Sequence, residues 1–549
     1  MSWTSLVGTA LSTMLARRTR LMGDAAHWRR HTAGLQRRQL RLLLQHAAQT
    51  EFGRSHDFAR LTRLNDADLL AGYRSAVACG EYDGFRPFIN RMRDGGEIDV
   101  LWPGRIRHFA QTSGTTAGDK YIPVSREMLR SNYRCALDIF ANAQRFGCSL
   151  HRLLTGKVLF LGGSTAMEVN KHGIATGDLS GIVTPLIRWP ISEIYLPGKR
   201  IALMSDWPAK IEAMARACVH ADVRMINGMP SWMLVLFERV LELARAGGRP
   251  AKTIADIWPN LELIVHGGVK YAPFDSRVRT FWSGRSDGPD VARRLELYPA
   301  SEGFIAIQDQ PGSPGLRLCS DAMNFYEFIP LERVNDAAPP AFAADEVEPG
   351  QRYVVCMSTC AGLWRYIIGD VVEFDAVPDR LGRPDTGSGP ARLRIVGRHR
   401  HFINAFGENL IVEHIENAVA AAAGATGLLL GEFTAGPVYP QEATDLAPSR
   451  RAGLEVVLEH TGDISPDRLA RFNAVFDSEL KRQNVDYTTK RTAGLGMAPP
   501  TVTVLPLGSF HRWMQQRGKL GGQHKCPRCA NHREYVEGVG AAAGEPGLG

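Results

Sequence analysis

The chain has 549 residues, 44% hydrophobic and 22% charged, the make-up of an ordinary soluble globular enzyme rather than a disordered or fibrous chain. That length exceeds what one hydrophobic core sustains, so two or more domains are expected. Lys+Arg 65 against Asp+Glu 57 leaves +8, a mild excess spread along the sequence, which argues against a nucleic-acid patch.

No run of ~18 apolar residues appears, so no transmembrane helix is expected. The N-terminus, MSWTSLVGTALSTMLARRTRL, has a short apolar piece whose arginines follow it. That order favours an amphipathic helix over a signal peptide. Nine cysteines, odd in number and scattered, point to free thiols in a reducing cytoplasm.

Residues 1–75 read as helical, with a break at Gly53. Gly/Pro punctuation over 84–125 leads into QTSGTTAGDK at 111–120, and another helix is expected over 126–150. KVLFLGGST, 157–165, reads as a buried strand entering a glycine turn. The stretch 205–247 reads as helical, interrupted by NGMPSW at 227–232. LELIVHGGVKY, 261–271, is a strand running into a double glycine. This alternation predicts an α/β domain with a largely parallel sheet. Ligands of such sheets sit at the carboxyl ends of strands, where Gly162, Gly163, His266, Gly267 and Gly268 fall.

After Asp375 the composition shifts, and PDRLGRPDTGSGP, 378–390, is a loop. A helix from Glu408 puts Leu410, Ile411, His414, Ile415, Ala418 and Val419 on one side. A strand at 454–460, a helix at 465–484 and a strand at 502–510 follow, with AAAGEPGLG as a disordered tail. The expected organisation is a large N-terminal α/β domain, 1–396, a smaller mobile C-terminal α+β domain, 397–535, and a tail, 536–549.

Three motifs carry chemistry. In the 111–120 loop, Gly114 and Gly118 permit close backbone approach, and Ser113, Thr115 and Thr116 offer hydroxyls. Such a loop can turn its N–H groups together on an anion, and Lys120 adds a point charge suited to phosphate. It is not a Walker loop: three residues, not four, separate its glycines, and Asp119 precedes the lysine. In YPASEG, 298–303, Glu302 is an oxygen ligand of the kind Mg²⁺ takes together with phosphates. Tyr298 in the same motif offers a ring for a purine. In WRYIIGD, 364–370, Asp370 beyond a strand suits ribose hydroxyls, and Arg365 suits a phosphate. Each motif alone reads equally well as a polar turn.

Their fixed order resembles the adenylate-forming superfamily of acyl-CoA synthetases, adenylation domains and luciferase. Within it, SGTTAGDK at 113–120, YPASEG, NFYEFIP at 324–330, WRYIIGD, GSFHRWMQQRG at 508–518 and GQHKCPRC at 522–529 resemble the plant auxin-responsive acyl-acid amido synthetases, the Gretchen Hagen family, and their bacterial relatives. Two departures stand out: Thr112-Ser113 where that family has two serines, and Ala300-Ser301 where it has Ser-Ser.

The resemblance implies ATP and Mg²⁺. It assigns the loop to pyrophosphate, Tyr298, Ser301 and Glu302 to nucleotide and Mg²⁺, and Asp370 to ribose. Gly397-Arg398 then opens the mobile domain, with Arg398 among the nucleotide-binding positions, and Lys525 is the lysine which that domain carries to the adenylate. The implied reaction joins a carboxylic acid to an amine, typically of an amino acid, through an acyl-adenylate. An acyl-CoA ligase and a non-catalytic acyl-acid or nucleotide binder are the rival readings. An apolar acyl pocket is expected around Met225, Met229, Trp232 and Met233. Cys526 and Cys529 form a Cys-x-x-Cys pair, which falls short of the four ligands of a structural zinc site. His399 and His401 are expected to be solvated.

Overall fold

The computed structural model describes residues 3–112, 120–162, 167–187, 191–204, 206–268, 271, 274–399, 402–403, 406, 408, 410–428, 430–440, 451–460, 463–491, 496–517 and 526–543. Two long helices, Trp3–Gly23 and Ala25–Ala47, open the chain. Asp24 starts the second by accepting the His27 N–H at 2.8 Å. Its Leu40, Leu43, Leu44 and Ala47 pack into a core shared with Phe52 and Phe58. Gly53 lies inside the short helix Glu51–Ser55 rather than breaking helix. A Cβ there would lie 1.9 Å from the Ala47 carbonyl oxygen, so glycine is required by close approach.

A twelve-stranded sheet forms the centre of the large unit. Its parallel half runs Arg293–Ala300, Leu263–Gly267, Val223–Gly228, Lys157–Phe160, Tyr195–Leu196. Its antiparallel half continues from Arg293–Ala300 through Gly303–Gln308, Leu316–Leu318, Arg392–Arg398, Tyr366–Ala376, Arg352–Thr359, Asn324–Pro330 and Phe342–Ala343. The α/β class is therefore as expected, but the sheet is mixed rather than largely parallel. After the Leu263–Gly267 crossover, hairpins replace helices as connections, and hairpins make antiparallel neighbours. The 223–228 stretch, within the span read as helical, is a central strand whose Met225 and Ile226 are buried. A four-stranded sheet, Lys120–Val124, His108–Thr112, Ala175–Gly177, Glu168–Val169, stands apart from the large one.

The small unit is α+β. Strands Leu430–Val438, Gly453–His460 and Thr501–Pro506 form its sheet, covered by helices Val412–Thr426 and Pro466–Gln483. The last strand stops at Pro506, and Ser509–Gln516 is a helix that buries Phe510 and Trp513. The stretch assigned to a tail from 536 begins inside the helix Glu534–Ala543. Val536, Val539 and Ala542 hold that helix against Phe510 and Trp513. Gly397, placed at the start of the mobile domain, is still paired with Val371 in the large sheet, and Arg398 with Asp370. One buried cluster holds Ile226, Ile264 and Phe237 of the large unit together with Ile403, Phe406 and Leu454 of the small one.

Candidate active site

The described ends of the 111–120 stretch lie on paired strands. His108–Thr112 and Lys120–Val124 pair antiparallel, and Thr112 opposite Lys120 is the last rung. Ser113, Gly114, Thr115, Thr116 and Gly118 lie outside the described residues. Lys120 is buried, 8% exposed, on the second of these strands. Its Nζ donates to the Tyr366 hydroxyl at 3.5 Å and stands 5.7 Å from the centre of the Tyr82 ring. Tyr82 is fixed in turn: its hydroxyl accepts the Tyr121 N–H at 2.8 Å. The lysine nitrogen thus lies beside two phenol groups.

The YPASEG turn is a hairpin. Ala300 pairs with Gly303, leaving Ser301 and Glu302 as the turn. Ser301 is half-buried, and Glu302 is buried beside it. Tyr298, the last inward aromatic of the Arg293–Ala300 strand, donates its hydroxyl to Asp370 Oδ2 at 2.7 Å. Asp370 is half-buried on the Tyr366–Ala376 strand, four residues beyond Tyr366. That strand joins the two groupings, Lys120 with Tyr366 and Tyr298 with Asp370, over roughly 13 Å of extended chain. Gly369 precedes Asp370 with φ +95, and a Cβ there would lie 3.2 Å from His399 Nδ1. His399 is not solvated. Its side chain is 7% exposed, its N–H donates to the Gly369 carbonyl at 2.9 Å, and its Nε2 lies 3.7 Å from Glu81.

Arg365 sits elsewhere. Its Nε donates to Glu327 Oε2 at 2.8 Å, its Nη2 to Glu327 Oε1 at 3.3 Å, and its Nη1 to the carbonyls of Val77 and Arg74 at 2.7 and 3.3 Å. Arg74 completes this pairing by donating to Glu327 Oε1 at 2.9 Å. Arg365 is 5% exposed with φ 46, a left-handed backbone that its buried bonds hold in place. It is therefore directed into the interior rather than towards Lys120, Tyr298 or Asp370, because Glu327 is the carboxylate within its reach. Trp364 beside it donates to the Leu101 carbonyl at 3.3 Å and packs on Phe58 and Trp102.

At the carboxyl ends of the parallel strands, His266 pairs in register with Glu296. Burial holds the His266 imidazole down at about 3, so it is neutral, and its Nδ1 has no partner among the described residues. Burial pushes half-buried Glu296 up to about 7. Met225 and Met233 are core residues rather than a pocket wall. Trp232 belongs to the same core as Met233, and Met229 packs against it, partly buried. A Cβ on Gly268 would meet Met229 Sδ at 3.2 Å. Arg398 is placed by its backbone alone, and Lys525 lies outside the described residues. The nine cysteines are free. An open cleft of about 550 Å³ lined by Arg37, Arg74, Asp345 and Glu346 lies apart from this site. Its inner arginines are consumed by ion pairs with Asp345 and Glu346.

Sequence reasoning missed Tyr82 and Tyr366. Tyr366 begins a strand and Tyr82 a helix, and an aromatic in either place reads as core from the sequence.

Residues 24–195, 318–381 and 413–534 match, in that order, the N-terminal, central and C-terminal domains of the GH3 family. The probable indole-3-acetic acid-amido synthetase GH3.1 of Arabidopsis thaliana is 22% identical, covering 92% of this chain and 91% of its own. The indole-3-acetic acid-amido synthetase GH3.8 of Oryza sativa subsp. indica is likewise 22% identical, over 88% of this chain and 87% of its own. Among solved structures, the GH3.15 acyl acid amido synthetase superposes with a TM-score of 0.55 at 16% identity, covering 94% of each chain. A 2-hydroxyisobutyryl-CoA ligase in complex with 2-HIB-AMP and CoA superposes with a TM-score of 0.52 at 14% identity, over 92% of this chain and 91% of that one. The structural likenesses show a shared fold. The three matched domains, in one order and across more than half of the sequence, show that this chain belongs to the GH3 family.

Proposed function

We propose that the protein is an ATP-dependent acyl-acid amido synthetase that activates a carboxylic acid as its acyl-adenylate and passes the acyl group to the amine of an amino acid. The observation that carries this reading is the meeting of three distant motifs along one strand, Lys120 at Tyr366 and Tyr298 at Asp370. Such spacing suits a nucleotide laid with its ribose at Asp370 and its phosphates towards Lys120 and the 113–119 loop. The carboxylate oxygen of the acid attacks the α-phosphorus, the bond to the β-phosphate breaks, and pyrophosphate leaves. The amine nitrogen then attacks the acyl carbon, the carbon–oxygen bond to phosphate breaks, and AMP leaves with the amine giving up a proton.

Lys120 is the positive charge at the phosphates, and it is set before substrate arrives. Tyr298 and Asp370 position the nucleoside. Glu302, a buried carboxylate in a tight turn, fits the oxygen chemistry of Mg²⁺. When bound, that ion neutralises phosphate charge. The C-terminal unit, from the exit of the chain past Arg398, reorients between the two steps and carries Lys525 to the adenylate. Nine free thiols suit a reducing, cytoplasmic setting.

A pyrophosphate–ATP exchange screen over aromatic, aliphatic and hydroxy acids tests the first step, and amino acids against coenzyme A test the acceptor. Exchange with at least one acid and amide formation are the expected results. Exchange followed by thioester formation alone would make the protein an acyl-CoA ligase. No exchange with any acid would leave only a binding protein.

A further inference from the structure

Lys490 lies in the small unit, on the short helix Val485–Arg491, and is 3% exposed. Its Nζ stands 4.9 Å from the centre of the Trp232 ring of the large unit. No carboxylate pairs with it among the described residues. The nearby Asp477 is already saturated: Arg491 reaches it at 2.8 and 2.9 Å, Lys481 at 2.7 Å and the Tyr487 hydroxyl at 2.6 Å. A buried ammonium without a counter-ion is costly, and an indole face offsets only part of that cost. A carboxylate would complete it with a short, charge-assisted hydrogen bond.

The place is equally informative. Trp232 opens the helix Pro230–Ala246, directly after the Val223–Gly228 strand. Gly228 is in register with His266, and His266 with Glu296, two residues before Tyr298. Met229 sits against Gly268. Lys490 is thus the charge that the small unit brings to the carboxyl-end edge of the parallel strands, the edge from which Tyr298 reaches Asp370.

We propose that Lys490, seated on Trp232, binds the carboxylate of the acceptor amino acid and so selects amino acids over simple amines. This rests on the reading of the protein as an acyl-acid amido synthetase. In an α-amino acid one carbon separates carboxylate from amine, so anchoring the first places the second for attack. A second carboxylate on the acyl acid is the other source of the same chemistry, and the two separate by experiment.

The acid is first identified by pyrophosphate exchange, and the best acceptor from the twenty proteinogenic amino acids is then compared with its own α-carboxamide. Wild-type kcat/KM should favour the amino acid by about ten- to hundredfold. In Lys490→Met that ratio should collapse towards one, mainly through KM, with the exchange rate unchanged, and Lys490→Arg should restore part of it. A ratio kept in Lys490→Met overturns the proposal, as does a wild type that uses the carboxamide equally well. Equal losses with both acceptors would mark a latch between units instead. A loss confined to dicarboxylic acids in the exchange assay would move the anchor to the acyl acid. Both results overturn it. If the wild type exchanges no pyrophosphate at all, the functional reading fails and this proposal with it; exchange without a Lys490-dependent choice of acceptor defeats this proposal alone.

Discussion

The two ends of the stretch Trp364–Asp370 differ in what their polar groups face. At the first end Arg365 is bonded on every side to Glu327 and two backbone carbonyls, and Trp364 fills an aromatic core. From the next residue onward Tyr366 faces Lys120, and half-buried Asp370 takes one hydroxyl from Tyr298. Polar groups a few residues apart therefore serve opposite purposes. A charge whose hydrogen bonds are used up in the interior maintains the fold, and a half-buried charge lies within reach of a ligand.

The largest test of this contrast is Arg365→Ala. It leaves Glu327, 1% exposed, with Arg74 as its remaining cation, which should cost about 3 kcal/mol or more of stability. Urea unfolding measures it. A variant of unchanged stability that fails to bind ATP would reverse the assignment. Lys120→Ala should do the opposite. Exchange should fall by about 10²–10³-fold, the scale for losing one preorganised donor to developing charge, while the unfolding midpoint stays nearly fixed. Asp370→Asn is the milder probe at the same end. It keeps the shape and the Tyr298 contact but weakens a charged acceptor, so AMP affinity by calorimetry should drop about ten- to hundredfold. Equal AMP binding in Asp370→Asn would remove Asp370 from the nucleotide site.

The class and the two units were legible in the sequence, because apolar runs alternating with glycine turns mark an α/β domain and the shift after Asp375 marks a second unit, whereas Asp370, expected beyond a strand, lies inside Tyr366–Ala376. It misdirected Arg365, since an arginine inside a motif looks the same whether Glu327, 38 residues earlier in the chain, waits beneath it or not. Tyr82 and Tyr366 stayed hidden because aromatics at strand spacing read as core, and both are in fact largely buried. The antiparallel half of the sheet was equally invisible: a run such as NFYEFIP is buried throughout, so it shows no alternation to betray its partners. Lys490 belongs to no motif, and only its burial without a carboxylate singles it out.

Glu296 is a third kind of charge, neither bonded out like Glu327 nor hydrogen-bonded to Tyr298 like Asp370, and it gives the smallest and most specific test. Burial raises it to about 7, against an ordinary glutamate near 4.3. Between those values the folded protein binds the proton that the unfolded chain has released, so this residue's contribution to stability falls as pH rises from about 4.3 to about 7 and is flat above. His266, held down at about 3, works the other way, losing stability as pH falls below its ordinary value of 6.5. A wild-type curve alone therefore mixes the two. Glu296→Gln separates them, because His266 is common to both proteins. The two should match in stability near pH 4 and diverge as pH rises, with the glutamine variant ahead by about 1–2 kcal/mol at pH 8, the half-buried position reducing the full effect of the shift. Urea unfolding at pH 4, 6 and 8 measures the divergence. Parallel curves would mean that Glu296 finds a partner in solution, and it would then belong with Glu327 among the charges that hold the fold.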